Sequence, residues 1–243
     1  MHIRSVTLHA DKYPNVDQFP FRLEVLRETP RVEFRAPVTL FVGENGTGKS
    51  TLLRAIARRC GIHIWRDAPR RRVEVNPFEE RLCDYISVEW VNGRVPGSFF
   101  GSEIFQDFAA LVDEWASDDP GQLKYFGGES LLSCSHGQSL MAFFRARYKL
   151  RGLYLLDEPE TALSPRTQVE LLRLLHQTAA QGHAQFIIAT HSPILMACPG
   201  AVIRSFDQVP LAEVDYRDTD HFRTYRDFLL APDEFLERPE DQS

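Results

Sequence analysis

The residues of this chain best suited to hold an anion are three glycines, a lysine and a serine inside GENGTGKS, residues 43–50. The spacing GxxxxGK followed by Ser lies after the apolar run Val38 to Val42 and before a helical pattern, as a phosphate-binding loop requires. Gly43, Gly46 and Gly48 let the backbone curl, so that N–H groups through Glu44, Asn45, Thr47 and Thr51 converge on phosphate oxygens at the positive end of the helix. Lys49 would then bridge the β- and γ-phosphates, and the Ser50 hydroxyl would ligate Mg²⁺. A second element with chemistry is LYLLDEPE, residues 153–160. Its apolar residues read as a buried strand delivering Asp157 to a sheet's carboxyl edge, where open α/β folds bind ligands. Asp157 is expected in the metal shell, and Glu158 beside it is placed to deprotonate an attacking water.

These residues need a scaffold, and the rest of the chain predicts one. Strand patterns at 2–8, 32–35 and 38–42 are followed by Leu52, Leu53, Ile56 and Cys60 at helical spacing, with Gly61 placed to end that helix. Residues 14–30 read mostly as connection, IHIW (62–65) and ISVEWV (86–91) as strands, and 104–115 as a helix. Leu140, Phe143, Phe144 and Tyr148 predict a helix starting at SHGQS, residues 135–139. GLYLLD and AQFIIAT are buried strands around a helix capped by Ser164 with Pro165 at its first position, running to about Ala180. Near-continuous apolar strands alternating with helices predict an α/β fold with parallel central strands covered on both faces.

Composition limits the function classes. At 43% hydrophobic and 26% charged, the chain is an ordinary globule with enough length for its own core. Its net charge of -6 means that a nucleic-acid partner would need a local basic patch. Arg54, Arg58, Arg59, Arg66, Arg70, Arg71 and Arg72 are the candidate patch, against the plainer reading of a solvated face paired to acids elsewhere. Cys60, Cys83, Cys134 and Cys198 are too scattered for a metal site and read as reduced thiols, which favours the cytoplasm. No apolar run approaches a membrane span.

In order along the chain, five motifs resemble those of the ATP-binding-cassette (ABC) ATPases, and more closely those of small stand-alone bacterial ATPases of the AAA type. After the phosphate loop, SHGQS resembles the ABC signature with His136 in place of its first glycine. The acidic strand LYLLDEPE is followed by TALS (161–164), similar to the D-loop, and by THS (190–192), similar to the switch-histidine motif. The resemblance runs from about Ile3 to Leu230. It implies a P-loop NTPase fold with a mixed sheet, an antiparallel amino-terminal portion and a small helical signature subregion at about 99–150. Residues 1–230 would form a single domain and 231–243 an acidic tail.

The resemblance further implies Mg²⁺-dependent ATP hydrolysis at the interface of a head-to-tail homodimer. In that arrangement Ser135, Gly137 and Gln138 act on ATP held by the other subunit, and His191 bonds the γ-phosphate. Gln106 and Glu103 are alternative equivalents of the glutamine loop, and Tyr13 is a candidate for stacking on adenine. Two other functions fit the motifs: the energy subunit of a membrane transporter, and a non-hydrolysing switch that only dimerises. Retention of Glu158 argues against the switch. The stretch from Lys49 to Ser135 has no heptads, which excludes the coiled-coil tether of DNA-repair ATPases while leaving direct DNA contact open. The partner protein receiving the work stays unidentified at this level.

Overall fold

The computed structural model describes residues 1–64, 76–102 and 136–237. Among them the strands form two sheets. The smaller is antiparallel, with β1 (Ile3–Leu8) between β2 (Arg31–Glu33) and β4 (Ile86–Trp90); Val6 stands opposite Val32 on one side and Val88 on the other. In the larger, β3 (Val38–Val42), β5 (Gly97–Gly101), β6 (Gly152–Asp157), β7 (Ala184–Ala189) and β8 (Val202–Ser205) pair in parallel, and β9 (Ala212–Glu213) pairs antiparallel to β8 at one edge. Its strand order is β5-β6-β7-β3-β8-β9.

Two-residue periodicity explains how these strands are buried on both faces. In β3, β6 and β7, Leu40, Leu156 and Ile188 enter one core, while Phe41, Leu155 and Ile187 enter the other. The first core is closed by α3 (His136–Arg147) and α4 (Pro165–Ala180), the second by α2 (Lys49–Arg59) and the antiparallel sheet. Each large side chain taken fully from water there contributes about 1.5–3 kcal/mol. Gln185, fully buried in β7, joins the two sheets. Its Oε1 accepts from the backbone N–H groups of His2 at 2.5 Å and Ile3 at 2.8 Å, and its Nε2 donates to the Ile3 carbonyl at 3.1 Å. A buried amide at a sheet junction is tolerated because its polar atoms find partners.

Several local expectations hold. Gly61 has a φ of 73° at the end of α2, α3 begins inside SHGQS, and Ser164 Oγ accepts from Thr167 N ahead of Pro165. Others are corrected. Ile62–Ile64 form no strand: the Ile62 N–H bonds back to the Ala57 carbonyl at 2.9 Å and closes the helix, while the Ile62 side chain packs into the second core. Residues 24–28 form a short helix, α1 (Glu24–Glu28), because Val25 and Leu26 turn inward. After α5 (Pro193–Met196), the chain continues into α6 (Asp220–Leu230) and α7 (Pro232–Glu237). The expected helix at 104–115, with Glu103 and Gln106, lies outside the described residues, as do Ser135, Cys134 and Arg66, Arg70, Arg71 and Arg72.

Candidate active site

Strand β3 sits between β7 and β8, so residues 43–48 emerge at the carboxyl edge of the sheet, next to the ends of both neighbours. Two glycines there are dictated by geometry. Gly43 has a φ of 137°, and a Cβ on it would stand 2.8 Å from Asp207 Oδ1; Gly48 has a φ of 108° and would meet Leu23 Cδ1 at 3.0 Å. Asp207, just past β8, accepts the Glu44 N–H at 2.7 Å, and Thr47 Oγ1 donates to the Glu44 carbonyl at 2.8 Å. Gly48 offers α2 no side-chain cap and the first turn carries no acid, which leaves the helix's amino-terminal donors to an incoming anion.

Lys49 is buried inside the loop, where Nζ donates to the carbonyls of Gly43 and Glu44 at 2.7 Å each. Burial lowers its pKa, against the opposing pull of Glu158, Asp207, Asp157 and Glu44. One residue on, Ser50 Oγ donates to Asp157 Oδ1 at 2.6 Å across the top of the sheet. Asp157 is 4% exposed at the end of β6; burial raises its pKa, while Ser50 and Arg54 favour the ionised form. Arg54 Nη2 reaches the second carboxylate oxygen at 3.1 Å. Arg54 is four residues after Ser50 and so on the same face of α2.

Glu158 has a φ of 48° and a ψ of 55°, the one non-glycine residue with positive φ among the described residues. Its N–H bonds to the Ala189 carbonyl at 2.9 Å, and the left-handed turn leaves Oε1 3.6 Å from Nε2 of His191. Such a conformation costs on the order of 1–3 kcal/mol and persists where surrounding contacts impose it. His191 is reached by the chain just after β7. Its backbone N–H bonds to Glu160 Oε1 at 2.6 Å, and Ser192 caps the following turn through Leu195 N while donating to Gln168 Oε1 at 2.6 Å. Nδ1 of His191 lies 2.8 Å from Nε2 of His221. Nε2 of His191 is buried without a hydrogen-bond partner. Burial, then Lys49 and His221, push its pKa down to about 4, so the ring is neutral at physiological pH.

Lys49, Ser50, Asp157, Glu158 and His191 therefore meet at one sheet edge. Gly137 and Gln138 lie at the start of α3; a Cβ on Gly137 would contact Ala162, Leu163 and Thr167 of the same chain. Four residues went unrecognised in the sequence: Asp207, Glu160, His221, and Arg54 as a carboxylate partner. Only Glu160, the third acid of DEPE, stood beside a legible motif. Arg58 pairs with Glu80 at 2.7 Å, so two members of the arginine series are paired to acids as the plainer reading expected. Tyr13 is engaged by Phe21 and Tyr85, and its hydroxyl donates to the Leu26 carbonyl at 3.1 Å, which makes it a packing residue.

Among the described residues no helix is long and apolar enough to cross a membrane. A family model described as "AAA domain" matches residues 15–62, and one described as "AAA domain, putative AbiEii toxin, Type IV TA system" matches 129–197. The chain is 32% identical over 198 residues to a "Putative ABC transporter ATP-binding protein" of Streptomyces avermitilis, covering 72% of this chain and 32% of that one. It is 34% identical over 175 residues to the hemin import ATP-binding protein HmuV of Streptomyces coelicolor, covering 65% and 61%. The chain thus spans less than two thirds of the length of either relative. In fold it is similar to the SMC head domain from Thermotoga maritima, with a TM-score of 0.50 at 18% identity over 88% of this chain and 99% of that one. With AAA-domain family models on both the phosphate loop and the acidic strand, and similarity to ABC transporter ATP-binding proteins over most of its length, the chain has an AAA-type P-loop domain that resembles the ABC ATPases in sequence and shares their fold.

Proposed function

We propose that the chain binds ATP with Mg²⁺ at residues 43–51 and hydrolyses it at the interface of a head-to-tail homodimer. The observation that carries this reading is the 2.6 Å hydrogen bond between Ser50 and Asp157, residues far apart in sequence. It sets two hard oxygen ligands side by side below uncapped helix donors. Mg²⁺ takes one or two carboxylates and completes its shell with water and phosphate oxygens, so this pair fits it without the larger His, Cys or acid cluster that is absent among the described residues. When bound, the ion would neutralise charge on the β- and γ-phosphates.

The chain's own groups would divide the work. The N–H groups of Asn45 to Thr51 cradle the phosphates, the Glu44 N–H being held by Asp207, and Lys49 lends them a point charge. Ser50 and Arg54 favour the ionised form of Asp157 against its burial. Glu158 takes the proton of the attacking water, and His191 offers its unpartnered Nε2 to the γ-phosphate. Ser135, Gly137 and Gln138 reach that phosphate from the partner subunit, with His136 where the family has glycine. A dimer that closes on ATP and opens on ADP follows, because only ATP carries the group shared between subunits. The unlinked thiols of Cys60, Cys83 and Cys198 suit a cytoplasmic placement.

Asp157→Asn is expected to raise the Mg²⁺ concentration needed for half-maximal turnover by about tenfold while changing nucleotide affinity less, since an amide is the poorer hard-cation ligand. A Mg²⁺ titration that does not move would take Asp157 out of the metal shell.

Head-to-tail sharing is tested by mixing two inactive variants. Ser135→Arg blocks the signature and Lys49→Ala the phosphate loop, so a mixed dimer has one site damaged by both changes and the other by neither. Turnover of the mixture should recover to about a quarter of wild type, since half the dimers are mixed and each keeps one of its two sites. No recovery would refute sharing.

A second reading, the energy subunit of a membrane transporter, is favoured by the transport names of the relatives. Copurification of the tagged chain with integral membrane proteins would support it, whereas stimulation of turnover by DNA would favour a nucleic-acid role.

A further inference from the structure

We propose that His221 is a positioning residue that holds His191 with its proton on Nε2, the nitrogen facing the phosphate site. The inference rests on the reading of His191 as the γ-phosphate partner. One N···N hydrogen bond between two imidazoles has one donor and one acceptor, and the 2.8 Å contact joins Nδ1 of His191 to Nε2 of His221. The other nitrogen of His191 decides which is which. Its Nε2 is buried, lacks a partner and stands 3.6 Å from the Glu158 carboxylate.

A lone pair aimed there would face a carboxylate now and a γ-phosphate oxygen later, both anionic; an N–H aimed there is attracted by both. Lys49, whose charge also reaches His191, is turned to the Gly43 and Glu44 carbonyls and gives the lone pair no partner. His191 therefore keeps its proton on Nε2, its Nδ1 accepts, and His221 donates. The backbone of His191 cannot make this choice, because its N–H is committed to Glu160.

The architecture holds His221 for this task. It is the second residue of α6, whose Thr219 cap accepts from Phe222 N and donates to the Tyr216 carbonyl at 2.6 Å. Thr219 Oγ1 also lies 3.6 Å from the sulfur of Met196, in the turn that directly follows His191. Donor and acceptor histidines thus stand on two mutually packed pieces of chain. Nothing in the residues around 221 marks this role, because a lone histidine on an amphipathic helix carries no motif.

The test uses the full chain with ¹⁵N-labelled histidine, first without nucleotide. The ring nitrogens of wild-type His191 should show a protonated Nε2 and an unprotonated Nδ1. His221→Leu, which cannot donate, should lose that pattern, and His221→Gln, whose amide can donate to Nδ1, should keep it. Turnover should fall about ten- to a hundredfold in His221→Leu, by analogy with metal-bound histidines that lose the group orienting their other nitrogen, with ATP affinity unchanged and most of the rate restored in His221→Gln. Adding His221→Leu to His191→Ala should cost nothing more. A proton on Nδ1 in the wild type, or a His221→Leu variant at the wild-type rate beside a slow His191→Ala, overturns the positioning role and leaves the site reading standing. A His191→Ala variant at the wild-type rate overturns the γ-phosphate reading of His191 itself, and the role of His221 with it.

Discussion

Glu158→Gln is expected to stop hydrolysis and to trap the dimer. The amide has the shape of the carboxylate but cannot take a proton, so the attacking water loses its base. General-base contributions place the loss of turnover at about a hundred- to ten-thousandfold. Binding should survive, because Lys49, Ser50 and Asp157 are untouched and the backbone N–H of residue 158 still reaches the Ala189 carbonyl. With ATP intact between subunits, association is stabilised by mass action, and replacing ATP by ADP should remove the effect. Light scattering after size exclusion, with ATP, with ADP and without nucleotide, reads the state directly. A variant that stays monomeric with ATP would separate dimerisation from nucleotide, and one that hydrolyses at the wild-type rate would remove Glu158 as the base.

Lys49→Ala is expected to weaken nucleotide affinity by about a hundredfold or more, as losing one partner of a buried charge pair costs on the order of 2–5 kcal/mol. Two effects add. The β- and γ-phosphates lose the cation that the loop presents to them, and the loop loses its own brace, because Lys49 Nζ is the donor to the Gly43 and Glu44 carbonyls. Calorimetry with ATP measures the loss, and a melting temperature measured alongside shows whether the chain still folds. Unchanged affinity in a folded variant would dismiss residues 43–51 as the phosphate site.

Features governed by neighbours along the chain are legible in the sequence alone. The run Val38 to Val42, the glycines after it and the helix after those are a local signal, since backbone freedom at Gly43 and Gly48 and the periodicity of Leu52, Leu53 and Ile56 depend on nearby residues. The same holds for GLYLLD and for Ser164 with Pro165, where cap and proline act on one helical turn. The strand expected at Ile62–Ile64 fails because an apolar alternation there serves a helix end and the core instead of a ladder.

Tertiary structure alone decides which distant groups complete the site. Asp207 holds Glu44 from 163 positions away, Asp157 reaches Ser50 across 107, and Glu160 and His221 fix His191 from 31 and 30. Each partner is an ordinary acid, serine or histidine in its own neighbourhood. Its role arises from the sheet order β6-β7-β3-β8, which sets the ends of four strands side by side, and from the packing of α6 against the turn after β7. Short-range periodicity specifies the strands, but which strand ends become neighbours is settled when their two faces are buried together, and the hydrogen bonds of the site form only then.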